Sequence, residues 1–460
     1  MVNAKSTEIK KEQFYDSEIS LYQSIGESET NIRWGYFTDL ATASIMDFVP
    51  ACQHWQEYML QQSGITSQSK VLDIGCGEGD TAIWLAQQIG CTVVGIETNS
   101  SNIEKAQNKA QNYPTLSLDF QIVSANNLPF TDSEFSHVWS HATLYRIKDR
   151  IQALQEIHRV LKEAGTFIFD DLLTPVTEVS ETTREQVYDR LSLSTTFSPD
   201  SYAKKLNQLG LMVAETKDLS LHLHKSYQLL AQQALSEYPD LNVAYTQICN
   251  AIKKQELSWS FYVCKKITDR LTWIHDNKDT QELQSKYNAW ATLYESDIGD
   301  TWQIMPQNAA NLLKQLLPQE DIAILDAGAG SGMVGEALVN QNYSNITAVD
   351  LSTEMLEIAK SKQVYKQLRQ ANLEKPLTFL EQESFDAILG IGLFTYGHAS
   401  PAGLYNLLPL LKHGGIFILT VRLSNKPMQE AFTKLPWSLI SQQEYMFEGA
   451  PFHILAYRKD

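Results

Sequence analysis

The sequence predicts an α/β protein with two domains in tandem, each built on a mostly parallel sheet covered by helices. The chain has 460 residues, whereas a typical domain has roughly 100–200. An apolar run that ends in Asp and enters a glycine-rich turn occurs twice, at 71–80 (VLDIGCGEGD) and at 324–333 (ILDAGAGSGM). Strand-like and helix-like stretches alternate after each copy, and this alternation favours parallel strands joined by helices.

The two copies share their internal spacing. In each, a helix-like stretch (81–90 and 334–342) follows the glycines, and an apolar strand then ends in an acid, Glu97 in the first copy and Asp350 in the second. The acid lies 22 positions after the first glycine of its turn in both copies, Gly75 or Gly328. Identical spacing in both copies indicates a duplicated βαβ unit.

Further elements continue in the same order. In the first copy, strands are predicted at 117–125, 135–142, 165–173, 211–219 and 259–267, and helices at 152–165, 198–210 and near 225–256. In the second copy, strands are predicted at 385–394 and 415–423, with a helix at 405–415. A polar stretch without strand alternation separates the copies. We therefore expect a first domain over 1–268, a linker over 269–283 and a second domain over 284–460.

Composition excludes several classes of function. Lys plus Arg number 37 and Asp plus Glu number 54, so the net charge is −17, which disfavours nucleic acid as a partner. No window approaches the roughly 18–20 apolar residues that a membrane span requires, and the N-terminus lacks the apolar stretch of a secretory signal. Five scattered cysteines without a CxxC pair predict neither disulfides nor a metal site, so a cytoplasmic location is expected. The oligomeric state stays open.

The glycine turns indicate a cofactor site. Their glycines allow close approach of the backbone to a ligand, with a helix N-terminus behind it; they are Gly75, Gly77 and Gly79, and Gly328, Gly330 and Gly332. The later acids can accept hydrogen bonds from ribose hydroxyls. An NAD site is the first rival, but Asp73 and Asp326, two positions before the first glycines, would repel a pyrophosphate and tolerate a cationic amino-acid cofactor.

These residues carry a resemblance to the class I S-adenosylmethionine-dependent methyltransferases, through DIGCGEG, DAGAGSG and DLSTEMLEIAK. The resemblance implies two Rossmann-like class I methyltransferase domains in tandem, each a seven-stranded, mostly parallel sheet with one S-adenosylmethionine. It adds further cofactor-binding residues to the Asp, Gly and acid positions: Thr98, Ala125, Asn126 and Ser140 in the first domain, and Leu351, Asn372, Leu373 and Gly390 in the second.

Each half also resembles a narrower group. The first half is similar to glycine, sarcosine and dimethylglycine N-methyltransferases, in FYDSEISLYQSIGESETNIRWGYF, VWSHATLYRIKDRIQALQEIHRVLKEAG and WSFYVCKK. The second half resembles the Williams–Beuren-region methyltransferase-like protein, in KYNAWATLYESDIG, FDAILGIGLFTYGH and GGIFILTVR. The first likeness implies a small amine or amino acid as the methyl acceptor.

Methylation of an amine requires a neutral nitrogen, which a general base or desolvation provides. His141, just past the fourth strand, is a candidate base or substrate contact. Aromatic faces stabilise a cationic product, and arginines bind a carboxylate. The other candidates are Tyr22, Trp34, Tyr145, Arg33 and Arg146 in the first half, and Tyr396 and His398 in the second. Buried core packing and surface ion pairs are the alternative roles for these residue types.

We therefore expect a bifunctional small-molecule methyltransferase that performs successive N-methylations or modifies two positions of one metabolite. An O-, S- or C-methyltransferase of a specialised metabolite is one alternative. In the other, a single domain is active and the second is a cofactor-binding or oligomerising module.

Overall fold

The computed structural model describes residues 17–18, 20–25, 34–176, 178–193, 197–275, 277, 279–394, 398–422, 426–447 and 450–460. The chain divides into two compact units, Met1–Thr268 and Asp269–Asp460. Each unit contains a seven-stranded sheet among its described residues. The predicted fold class, two Rossmann-like α/β domains in tandem, is confirmed.

The first sheet has the order β3-β2-β1-β4-β5-β7-β6, in which β7 runs antiparallel to both its neighbours and the other pairs are parallel. Its strands are β1 (Lys70–Ile74), β2 (Thr92–Glu97), β3 (Leu118–Ile122), β4 (Phe135–Ser140), β5 (Leu161–Leu173), β6 (Leu211–Asp218) and β7 (Ser258–Lys266). The helices are α1 (Phe48–Ser63), α2 (Asp80–Ile89), α3 (Ser100–Ala110), α4 (Arg150–Val160), α5 (Pro199–Gln208), α6 (Ser220–Ala234) and α7 (Pro239–Lys253), with shorter helical turns at Ile45–Asp47, Leu144–Arg146 and 181–191.

The second sheet repeats this order as β10-β9-β8-β11-β12-β14-β13, again with its sixth strand, β14, antiparallel to both neighbours. Its strands are β8 (Ile324–Ala327), β9 (Ile346–Asp350), β10 (Gln367–Gln370), β11 (Phe385–Phe394), β12 (Leu411–Arg422), β13 (Trp437–Phe447) and β14 (Ala450–Lys459). The helices are α8 (Arg270–His275), α9 (Thr280–Trp290), α10 (Tyr294–Leu316), α11 (Met333–Val339), α12 (Thr353–Ser361), α13 (Pro401–Leu407) and α14 (Lys426–Thr433), with turns at Ala291–Leu293 and Leu408–Leu410.

Helices cover both faces of each sheet, so the central strands are almost fully apolar. Leu72 and Val138 are 0% exposed on one face of the first sheet, and Val71 and Ile168 are 0% exposed on the other. Parallel strands buried on both faces read as continuous apolar runs. This burial fixes the strands and leaves the loops at their carboxyl ends for ligands.

Two predicted helices end earlier than expected. The helix predicted over 152–165 ends at Val160, because Leu161 turns to extended backbone (φ −70°, ψ 139°) and starts β5. The helix predicted over 405–415 likewise gives way to β12 at Leu411. The stretch predicted as a linker, 269–283, contains α8 and the start of α9 and lies within the second unit.

Among the helices that the structure describes, none is long and apolar enough to cross a membrane. All five cysteines lie in the described part of the chain, where they are buried and form no disulfide.

Candidate active sites

The first glycine turn follows β1 and bends sharply toward β2. Gly75 and Cys76 donate their backbone N–H groups to Ile96 O, at 2.9 and 3.0 Å. Gly75, Gly77 and Gly79 have φ of 75°, 54° and 85°, a region that favours glycine. A Cβ on Gly75 would lie 2.3 Å from the Thr143 side chain. The turn therefore depends on glycine for both backbone conformation and space.

A cavity of about 570 Å³, the first cavity, opens at this turn. Nine predicted site residues line it: Asp73, Gly75, Gly77, Glu97, Thr98, Ala125, Asn126, His141 and Arg146. Gly79 and Ser140 are not among the lining residues. Gly79 caps α2, where a Cβ would press on Phe120 at 2.8 Å, and Ser140 donates its hydroxyl to Ile74 O at 3.2 Å.

Two acids define the chemistry of the first cavity. Asp73 is 2% exposed, and its Oδ2 has no hydrogen-bond partner among the described residues. Burial, with a contribution from Glu97, raises the pKa of Asp73 to about 7. Glu97 Oε1 accepts the backbone N–H groups of Thr98 and Asn99 at 2.7 and 3.1 Å, which fixes this carboxylate at the end of β2.

The segment after β4 contributes an imidazole and a guanidinium. His141 Nδ1 lies 2.8 Å from Asp170 Oδ2. Arg146 donates Nε–H to the Tyr145 hydroxyl at 3.0 Å, and it lines the cavity while Tyr145 is 0% exposed. Within the described part of the chain, Tyr145 is the hydrogen-bond partner of Arg146, which leaves the terminal NH₂ groups for a ligand.

The predicted aromatic residues lie behind this segment and do not line the cavity. Trp34 is 0% exposed, donates Nε1–H to the Tyr227 hydroxyl at 3.1 Å and packs against Tyr145, with ring centroids 6.1 Å apart. Tyr22 is 5% exposed, and its hydroxyl has no described partner. Burial, with Tyr245 as the next cause, raises the pKa of Tyr22 well above 10. Arg33 lies outside the described residues.

The second unit has a smaller cavity, about 110 Å³, at the corresponding turn. Seven predicted residues line this second cavity: Gly328, Gly330, Asp350, Leu351, Asn372, Leu373 and His398. Asp326, Gly332 and Gly390 are not among its lining residues, and Tyr396 lies outside the described residues. A Cβ on Gly330 would meet no atom within 4 Å, so there is open space above this turn.

The acids of the second unit are held differently from those of the first. Asp326 Oδ2 accepts the Tyr365 hydroxyl at 2.6 Å, while Oδ1 has no described partner. Burial raises the pKa of Asp326 to about 7, although Tyr365 opposes the shift. Asp350 accepts the N–H groups of Gly330 and Ser352, each at 2.8 Å, and burial raises its pKa.

Helix α9 covers the second cavity. Tyr287 lines the cavity, and its hydroxyl lies 2.8 Å from Nε2 of His398. A second hydrogen bond holds α9 in place: the Ser352 hydroxyl donates to Asn288 Oδ1 at 2.6 Å. One wall of the second site is thus formed by a helix of its own unit.

Sequence reasoning missed two residues of these sites. Thr143 lines the first cavity beside Gly75, and Tyr365 bridges Asp326 and the backbone N–H of Gly335. Neither belongs to a recurrent motif. Their roles depend on loops that reach the glycine turn only in the folded chain, and no pattern in the sequence signals them.

The residues present fit a cofactor with an ammonium group and a ribose. Each unit buries one carboxylate oxygen without a partner, on Asp73 and on Asp326, and an ammonium would compensate that charge. Each also places a second acid, Glu97 or Asp350, at the end of the neighbouring strand. In each sheet, the strand that is sixth in spatial order, β7 or β14, runs antiparallel to its neighbours. This sheet, together with the glycine turn and its two acids, defines the class I S-adenosylmethionine-dependent methyltransferases.

Comparison with known proteins agrees with this class. The family model described as a methyltransferase domain matches residues 72–169 and 325–419. The chain is an S-adenosylmethionine-dependent methyltransferase that carries this domain twice, and S-adenosylmethionine is its cofactor.

Three curated relatives illustrate the range of similar enzymes. Methyltransferase GfsG of Streptomyces halstedii is 28% identical over 45% of this chain and 74% of the relative. Glycine/sarcosine/dimethylglycine N-methyltransferase of Actinopolyspora halophila is 31% identical over 46% of this chain and 34% of the relative. O-methyltransferase resE of Aspergillus sclerotiorum is 24% identical over 55% of this chain and 95% of the relative.

Among solved structures, the chain is similar to geranyl diphosphate C-methyltransferase from Streptomyces coelicolor A3(2). The TM-score is 0.46 at 14% identity, covering 56% of this chain and 97% of that protein.

Proposed function

We propose that the first unit methylates the nitrogen of a small amine or amino acid. The observation that carries this proposal is the first cavity, where His141 and Arg146 stand beside the acids and glycines of the cofactor cradle. A guanidinium binds a carboxylate, and an imidazole accepts a proton from an ammonium group. An α-amino acid carries both groups on one short skeleton.

The cofactor supplies a methyl group that is transferred without its bonding electrons. The residues of the chain bind and orient the acceptor and remove its proton. Because Arg146 Nε–H is engaged by Tyr145, its two NH₂ groups can receive a carboxylate and hold the amine near His141. Such positioning contributes much of the rate in a displacement reaction.

The relatives support an amine acceptor. One relative is named a glycine/sarcosine/dimethylglycine N-methyltransferase, and it is 31% identical to this chain. The match lies in the N-terminal half of this chain. This chain spans about a third of that relative, 34%. An oxygen acceptor is the second candidate, since O-methyltransferase resE is 24% identical along 95% of its length.

We further propose that both units transfer methyl groups, in successive steps or to two positions of one metabolite. Each unit has its own glycine turn, buried Asp and ribose-facing acid, which supports two cofactor sites. Two sites on one chain raise the effective concentration of an intermediate released by the first. In the competing arrangement, the second unit binds cofactor without transferring methyl groups or serves in oligomerisation.

We also propose that the methyl acceptor is a small metabolite and that the protein acts in a reducing cytoplasm. The net charge of −17 supports a small acceptor in place of nucleic acid. The five buried cysteines without a disulfide support a reducing compartment.

The test is a panel of acceptors followed by mass spectrometry. The purified chain is incubated with S-adenosylmethionine and either glycine, sarcosine, dimethylglycine or the corresponding hydroxy acids. We expect a 14-dalton increase for at least one amine and none for the hydroxy analogue, because a methyl replaces a hydrogen on nitrogen. Methylation of hydroxy acids alone would replace the amine proposal with the oxygen one.

A further inference from the structure

Three N–H donors and the imidazole of His141 surround the carboxylate of Asp170. Trp55 Nε1, Trp259 Nε1 and His141 Nδ1 lie 2.9, 3.1 and 2.8 Å from Oδ2, and the backbone N–H of Ala142 donates to Oδ1 at 2.7 Å. Asp170 itself is 0% exposed. We propose that Asp170 is a positioning residue, which holds His141 so that Nε2 is the proton acceptor of the first active site, and that Ile391 and Thr420, which stand at the matching positions of the second unit, cannot do the same. The inference rests on the proposed function.

The donor pattern indicates where the proton of His141 lies. The indole N–H groups of Trp55 and Trp259 and the backbone N–H of Ala142 can only donate. The Asp170 carboxyl is therefore surrounded by donors, and in the proposed arrangement Nδ1 of the imidazole is a fourth donor. In a neutral imidazole the lone pair is then on Nε2. His141 lines the first cavity with 18% of its side chain exposed, and Trp34 meets its ring edge-on, with centroids 6.4 Å apart. The ring is therefore held from two sides.

Asp170 is not available to a substrate. It has no exposed surface, and the two tryptophan N–H groups and the imidazole already share Oδ2. Trp55 and Trp259 also pack against each other, with ring centroids 5.1 Å apart at 71°. These rigid side chains exclude water from the carboxylate, which strengthens its hold on the imidazole.

The second unit has other residues at these positions. β4 pairs with β5 as β11 pairs with β12, and by this register Ile391 and Thr420 take the places of His141 and Asp170. The backbone hydrogen bond is kept, since Gly392 N–H donates to Thr420 Oγ1 at 2.7 Å. The acid–imidazole pair at this position therefore belongs to the first unit.

The acceptor in the proposed step is an alkylammonium ion. His141 Nε2 takes one proton from the ammonium group, and the nitrogen lone pair that is freed forms the bond to the methyl carbon. The electron pair of the broken carbon–sulfur bond stays on sulfur, which leaves in neutral S-adenosylhomocysteine. The imidazolium then gives its proton to solvent.

Nuclear magnetic resonance tests the assignment without any acceptor. Two-bond ¹H–¹⁵N spectra of full-length protein, labelled with ¹⁵N-histidine, report the tautomer of each imidazole, and His141→Gln identifies the signals of His141. We expect His141 to be protonated on Nδ1 only. An Nε2–H tautomer would overturn the proposal, and this result is independent of whether an amine is methylated.

Variants separate positioning from general support of the fold. Asp170→Asn should shift His141 toward the Nε2–H tautomer, whereas Trp55→Phe, which keeps the carboxylate, should leave the tautomer unchanged. With an acceptor from the panel, His141→Gln should lower kcat by roughly 10²–10⁴-fold with little change in KM. A folded Asp170→Asn protein with the wild-type tautomer would refute the role of Asp170. If Asp170→Asn does not fold, the wild-type spectrum alone decides.

Discussion

Asp73 and Asp326 stand at the same position of the two motifs, yet they have different neighbours. Asp73 keeps Oδ2 without a described partner, whereas Tyr365 donates its hydroxyl to Oδ2 of Asp326. In both, burial raises the pKa to about 7, against about 3.9 for an unperturbed Asp. The folded chain thus binds more protons than the unfolded chain between about pH 4 and pH 7. Protonation of these two carboxyl groups therefore favours the folded chain, and this contribution to the free energy of unfolding is lost as the pH rises through this window.

This shift predicts how cofactor affinity depends on pH. The ammonium of S-adenosylhomocysteine is attracted only to ionised Asp73, so binding at the first site should strengthen by up to about tenfold per pH unit below pH 7 and level off above it. Calorimetry of Asp326→Asn protein isolates the first site. Adding Asp73→Asn should remove the slope and weaken binding by roughly 10–100-fold. If the affinity of the double variant still depends on pH, the pH dependence belongs to another titrating group.

Residues inside the motifs could be predicted, and residues brought by loops could not. The turn glycines and acids share fixed spacing, so the sequence reveals Asp73, Gly75 and Glu97 together. Tyr365 and Thr143 reach the turn from loops of other strands, and no local pattern marks them. The contact of Ser140 with the cofactor stays a prediction. Its hydroxyl donates to Ile74 O, and the sequence of a strand end does not indicate which way a small side chain turns.

At the scale of elements, the third glycine of each turn has a different role from the first two. Gly79 and Gly332 are N-caps with φ of 85° and 92°. A Cβ on Gly79 would meet Phe120 at 2.8 Å, and one on Gly332 would meet Ala359 and Tyr365 at 3.1 and 3.3 Å. These glycines therefore let a helix approach the sheet closely.

Gly79→Ala should destabilise the first unit more than it changes its chemistry. The left-handed conformation costs about 1 kcal/mol for alanine and crowding costs about 1–3 kcal/mol more, so we expect a loss of roughly 2–4 kcal/mol in the free energy of unfolding. Differential scanning calorimetry should show a lower Tm for one transition. Gly64→Ala is the control, since its φ is 70° but its Cβ meets nothing within 4 Å. An equal loss in both variants would attribute the effect to backbone conformation alone.

Strands were predicted more accurately than helix ends. The apolar strands β1, β2, β4 and β7 lie where their runs of buried residues indicate, because burial on both faces leaves a strong signal. The ends of α4 and α13 were placed too late, since the sequence after Val160 and Leu407 remains compatible with a helix. Pairing of β5 and β12 with neighbouring strands overrides that local preference.

At the scale of the whole molecule, duplication has produced two sites with unequal space. The first cavity has a volume of about 570 Å³ and the second about 110 Å³. The first is lined by His141, Arg146 and Lys148, and the second by Tyr287 of α9, His398 and Asp350, which accepts the N–H of Gly330. The same cradle therefore faces a larger cavity with basic side chains in one unit and a smaller cavity with two tyrosines in the other.

This asymmetry predicts that inactivating each cradle has a distinct consequence. Two cofactor sites should bind two equivalents of S-adenosylhomocysteine per chain in calorimetry. Asp73→Asn and Asp326→Asn should each leave about one equivalent. Asp132→Asn is the control, because it replaces an acid whose side chain is 78% exposed. If the first unit carries the amine chemistry, Asp73→Asn should slow methylation of the first acceptor by roughly 10–100-fold at subsaturating cofactor, because the weakened cofactor cradle and the candidate base and cation line the same cavity. Asp326→Asn should then keep that product and lose a second methyl group, seen as a product 14 daltons lighter than the wild-type end point. Two equivalents bound by the wild-type chain, one by Asp326→Asn, and an unchanged product in that variant would show instead that the second unit holds cofactor without transferring its methyl group.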